Sequence, residues 1–116
     1  KEFSKEIYLS RNNVSEMYKS GMSFGIHGEN HFWWEHLPIH KQEKELQNPI
    51  NYFKKLNVEV SNISVCYPNG SYNKSTLKIL KKLNISFALT TQKGPINKEN
   101  VSFKYQLPRY DVNDTL

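Results

Sequence analysis

Met22-Ser23-Phe24-Gly25-Ile26-His27-Gly28-Glu29-Asn30-His31 reads as a short strand that stops in a tight loop carrying two imidazoles four residues apart. A second segment of the same kind follows: residues 62–66 are strand-like, and Tyr67-Pro68-Asn69-Gly70-Ser71-Tyr72-Asn73 turns sharply after them. The ends of successive parallel strands converge in α/β folds, so the two turns are expected to face one site. Gly25 and Gly28 bracket His27, which suits a backbone leaving a strand by a tight turn. In a metalloprotease helix a Glu directly follows the first His; here that residue is Gly28, which argues against such a helix. Neutral imidazole nitrogens are good ligands for zinc and related divalent ions. Four histidines in 116 residues often fall at this spacing by chance, so the spacing alone assigns no metal.

Outward from these turns the pattern alternates between helix and strand. A helix is expected over residues 14–20, ended by Gly21. Pro38 suits a first helical turn, and Leu46, Ile50 and Phe53 form the buried stripe of a helix running to about residue 56. Asn73 or Ser75 caps a third helix through Leu83, with Thr76, Leu77, Leu80 and Leu83 toward the core. Residues 85–89 form a short apolar strand, and residues 101–106 read as another. This order predicts an α/β fold, a parallel sheet with covering helices. No internal repeat, linker or low-complexity tract interrupts it.

With 37% hydrophobic and 13% aromatic residues the chain can bury one core. An eight-unit barrel needs about twice this length, so residues 1–116 read as a single partial domain, its second half, with the N-terminal portion missing. The net charge of +5 invites a nucleic-acid reading, but the lysines lie singly or in pairs (Lys54-Lys55, Lys81-Lys82) on helical segments. Solvated helix faces explain them, and no nucleic-acid partner is expected. The single cysteine, Cys66, allows no internal disulfide, and without an obvious base beside it reads as a structural thiol. No apolar run reaches transmembrane length. Seven Asn-x-Ser/Thr sequons are explained by the abundance of Lys, Asn and Ile typical of an AT-rich bacterial genome.

Residues 16–27 with Asn30-His31, then residues 67–73, Phe87-Ala88-Leu89-Thr90-Thr91 and Leu107-Pro108-Arg109, resemble in order and spacing the later part of a polysaccharide deacetylase domain. This is the NodB-homology, carbohydrate-esterase type, and the resemblance runs from about residue 13 to 112. It implies a (β/α) barrel-like fold in which His27 and His31 bind a divalent metal, usually zinc. The family's third ligand and general base come from an earlier Thr-Phe-Asp-Asp-Gly motif. That motif is absent; no Asp occurs before Asp111.

The family pattern has Arg two positions before the Pro, Tyr after it, and often Ser or Thr after the first His; this chain has Cys66, Asn69 and Gly28 there. A main-chain N–H at Asn69 can still donate to an oxyanion, and Arg109 is the candidate to replace the missing Arg. Substrate contacts are expected from Trp33, Tyr67, Pro68, Gly70 and Tyr72. Phe32-Trp33-Trp34 has two readings, a sugar-stacking wall or core packing, since adjacent residues seldom point one way. His36 and His40 are not expected as ligands, and Asp111 or Asn113 suits a helix cap.

The resemblance therefore implies removal of acetyl groups from N-acetylated sugars in a polysaccharide or oligosaccharide. It also implies association with the missing N-terminal half, and a cell-envelope or secreted setting. A catalytically inactive carbohydrate-binding or scaffold domain that kept the fold is the alternative.

Overall fold

The computed structural model describes residues 7–114. Four strands form one sheet, β1 (Gly25–Ile26), β2 (Ser64–Cys66), β3 (Phe87–Lys93) and β4 (Leu107–Arg109), and the sheet order repeats the chain order. Every pairing is parallel. Gly25 lies beside Ser64 and Ser64 beside Phe87; Cys66, Leu89 and Leu107 form a further row. A sheet that advances one strand at a time in parallel is an arc of the kind that closes into a (β/α) barrel.

Among the described residues three α-helices accompany the sheet: α1 (Arg11–Lys19) before β1, α2 (Ile39–Lys55) between β1 and β2, and α3 (Lys74–Lys82) between β2 and β3. Their ends follow from local chemistry. Ser10 and Asn13 cap α1 reciprocally, and Gly21 takes φ +89° just past its end. Asn73 and Thr76 make the same reciprocal cap on α3. Pro38 is the residue before α2 rather than inside its first turn. Among the described residues no helix is long and apolar enough to cross a membrane.

The core lies where the sheet meets α2 and α3. Ile26, Val65 and Ala88 make one buried row across three strands, covered by Leu46, Ile50, Ile79 and Leu80. Each of these Val, Leu and Ile side chains contributes about 1.5–3 kcal/mol by leaving water, and Ala88 less. The buried stripe of α3 is Thr76, Ile79 and Leu80, whereas Leu77 and Leu83 are half-buried. A buried hydrogen bond sets that rotation: the Thr76 hydroxyl donates to Gln42 Oε1 (2.6 Å), and Gln42 Nε2 donates to the Leu37 carbonyl (2.9 Å).

Residues 101–106 are not a strand. Asn97 Oδ1 accepts from the amides of Glu99 and Asn100, and the amides of Val101 and Phe103 donate to the carbonyls of Asn97 and Asn100. Local turns thus take up the amides of Val101 and Phe103, the Lys104 carbonyl accepts from the Ala88 amide of β3, and β4 begins at Leu107.

Candidate active site

Both turns emerge at the carboxyl ends of β1 and β2. Ile26 pairs with Val65, so His27 comes level with Cys66, and its Nδ1 donates to the Cys66 carbonyl at 2.9 Å. A carbonyl only accepts, so in the neutral ring the proton is on Nδ1 and the lone pair on Nε2, the arrangement that orients a ligating imidazole. The His31 ring lies 4.7 Å from that of His27, centroid to centroid, and its backbone is left-handed at φ +58°. Holding a non-glycine residue there costs on the order of 1–3 kcal/mol, so something must fix the loop.

That anchor is Glu45 on α2, only 3% exposed. Its Oε2 accepts from the amides of Glu29 (3.0 Å) and Asn30 (2.9 Å), and its Oε1 from Asn30 Nδ2 (2.6 Å). Asn48 Nδ2 adds a bond to Glu29 Oε2 (2.6 Å). Gly28 passes through the gap this leaves at φ +81°: a Cβ there would stand 2.9 Å from Glu45 Oε2 and 3.3 Å from both Pro68 and Trp34. The glycine after His27 is thus required by the close approach of α2 and the Pro turn. Sequence reasoning missed Glu45. Helical spacing puts Gln42 and Glu45 on the face of Leu46 and Ile50, but does not name what they bond.

The Pro turn rests on buried aromatic rings. Tyr67 stacks on Tyr72 (4.5 Å, 21°), meets Trp34 edge-on (5.9 Å), and donates its hydroxyl to the Tyr105 carbonyl (2.6 Å). Burial pushes the Tyr67 phenol far above its ordinary range, with Tyr72 and Tyr105 adding to the rise, so it stays protonated. Tyr67 and Pro68 are therefore the buried support of the turn, while Tyr72 is half-buried and Asn69 exposed. Asn69 and Gly70 are both left-handed (φ +55° and +70°), and a Cβ at Gly70 would collide with the Thr91 side chain on β3. Among the described residues the Asn69 amide has no acceptor, whereas the Gly70 and Ser71 amides are satisfied by Tyr67 and Pro68.

The two tryptophans divide. Trp34 is fully buried, its Nε1 without a partner among the described residues; Trp33 is 53% exposed and stands beside His36. Arg109 is not brought to the histidines. It lies on β4, at the opposite edge of the sheet from β1, three strand spacings of about 4.8 Å away, and its Nε donates to the Thr90 carbonyl. It borders the Pro-turn side instead, where Gly70 meets β3. Asp111 caps the turn Val112–Asp114, and Asp114 pairs with Lys93 (3.1 Å). The Asp111 amide, then the Lys93 ammonium, hold the Asp114 carboxyl below its usual range. Among the described residues no three His, Cys, Asp or Glu side chains converge on one point, and His27 and His31 lie side by side without a third.

The polysaccharide deacetylase family model matches residues 4–88, which contain both turns. The chain belongs to the polysaccharide deacetylase family. Among solved structures, the Streptococcus pyogenes deacetylase PplD in complex with acetate superposes with a TM-score of 0.79 at 32% identity, over 93% of this chain and 46% of that one. This polysaccharide deacetylase-family chain therefore spans about half the length of that relative. No curated protein sequence matches it. β4 and Arg109 lie beyond the matched segment, whereas the histidine pair and the Pro turn lie inside it.

Proposed function

We propose that this chain is the metal-binding half of a hydrolase that removes acetyl groups from N-acetylated sugars of a polysaccharide. The observation that carries the reading is the His27 Nδ1–Cys66 carbonyl bond, which leaves Nε2 available beside His31. Two imidazoles, one with its tautomer fixed from behind, fit a divalent ion, zinc best of all. The remaining ligand and the general base are assigned to the other half of the domain, in keeping with a chain that spans 46% of its solved relative. When bound, such an ion supplies Lewis-acid polarisation of the acetamide carbonyl and activation of water near neutral pH.

The chain's own residues do the rest. The Asn69 amide donates to the oxyanion as it develops, and the successive left-handed residues Asn69 and Gly70 aim it. Trp33 offers an exposed indole to the apolar face of a sugar, and Tyr72 continues the wall over the buried Tyr67 and Pro68. Arg109 places a cation at the far border of the same mouth. The products are acetate and a free amine on the sugar. Acetate is also the molecule held in the PplD complex.

Purified chain should take up zinc weakly, and His27→Ala with His31→Ala should abolish the uptake. Equal zinc content in the wild type and the double variant, by atomic emission, overturns the metal assignment. Joined to a family N-terminal half, the chain should release acetate from N-acetylated oligosaccharides; glycan binding without acetate release would instead establish the inactive binding domain.

A further inference from the structure

The loop that carries the histidines and the outer face of α2 enclose a groove of about 230 Å³, with Phe32 (49% exposed) as its wall, Glu45 at its buried end, and Lys41 and Lys44 on its rim. A second groove of about 340 Å³ shares His40 and Lys44 with the first and runs on across α2 to Lys82 and Leu83 on the α3 side. The two make a continuous furrow that starts one residue from His31.

Three carboxylates border this furrow, and each has a partner. Glu45 accepts three N–H groups from Glu29 and Asn30, Glu29 accepts from Asn48, and Glu43 pairs with Lys82 at 2.8 Å. Lys41 and Lys44 differ: both are exposed, and neither ammonium has an acidic partner among the described residues. They stand three residues apart on one helix, so they face the same way. Two unneutralised ammonium groups beside an exposed aromatic ring suit a sugar that carries a negative charge: the ring takes the C–H face, and the ammoniums take the anion.

We propose that this furrow is the track along which the anionic substituents of the glycan, carboxylate or phosphate, run toward the His27–His31 site. The inference rests on the polysaccharide reading above and adds the class of polymer, an acidic glycan rather than a neutral one.

The test is binding of the whole chain, with divalent metal chelated, to four probes: hyaluronan oligosaccharides (carboxylate), a phosphorylated N-acetylglucosamine oligomer (phosphate), neutral chitohexaose, and a single-stranded oligodeoxynucleotide. One or both acidic glycans should bind about tenfold more tightly than chitohexaose at low ionic strength, the gap closing as salt is added. Which of the two binds identifies the source of the anion. Lys41→Gln with Lys44→Gln should remove that gap while leaving chitohexaose binding unchanged; Lys98→Gln, on the 94–106 connection, should change nothing.

Equal affinity for charged and neutral glycans, an unaltered gap in the lysine variant, or oligodeoxynucleotide binding as tight as that of the best glycan overturns the proposal. Because metal is absent throughout, a failed zinc assignment leaves this result standing. Chitohexaose binding retained without any acidic preference would strike the furrow alone.

Discussion

The loop between β1 and α2 and the connection between β3 and β4 are both irregular, yet they are held by opposite means. Residues 27–31 are tied to distant parts of the chain, His27 to Cys66 and the Glu29 and Asn30 amides to Glu45. Residues 95–103 of the second are largely tied to themselves, through the side chains of Asn97 and Asn100, and leave Ile96, Val101 and Phe103 more than half exposed, before Lys104 and Tyr105 bond back to Ile85 and Tyr67. A loop fixed from outside can hold a residue such as His31 in a left-handed conformation; a loop fixed from within settles into ordinary turns.

The largest effect should come from cutting the outside tie. Glu45→Ala strands two backbone amides and an amide side chain at a part-buried site. It should lower stability by about 3 kcal/mol and abolish zinc uptake, since bonds to a buried charge are the expensive ones to leave unmade. A urea midpoint within error of wild type would mean that the loop holds itself. Gly28→Ala comes next. Its Cβ has to displace Glu45 Oε2 at φ +81°, so a loss of about 2 kcal/mol is expected, with weakened zinc uptake from a chain that still folds. Normal metal content in that variant would show that the histidines do not depend on the fit of the loop.

The smallest effect belongs to the self-tied connection. Val101→Ser and Phe103→Ser should each change stability by no more than about 0.5 kcal/mol, because neither side chain leaves water. Measured losses near 2 kcal/mol would restore the strand that their alternation suggests.

The same contrast decides what could be read in advance. The Asn73 cap of α3, the glycine after α1, the turn that carries the histidine pair and the Pro turn depend on neighbours within a few residues, and they stand where the local pattern put them, whereas α1 starts three residues earlier than expected, behind a Ser10 cap. Val101-Ser102-Phe103-Lys104-Tyr105-Gln106 alternates as a strand does, but the Asn97 and Asn100 side chains compete for the same backbone groups and win. Glu45 could not be assigned from periodicity, because its partners lie 15 and 16 residues away. Arg109 ends a strand as expected. Its distance from the histidines follows from sheet order, which no local pattern of residues fixes.

The bond between His27 and Cys66 spans 39 residues of chain and exists only while β1 lies against β2. β1 is two residues long and forms one border of the sheet, so the pairing that sets the imidazole tautomer is made by the shortest strand in it. Fraying of that border and rotation of the ring are consequently a single event, and its free energy lies below that of global unfolding. A ligand held by the ring would act as a clasp on that border, raising its protection against amide exchange in proportion to the logarithm of ligand concentration.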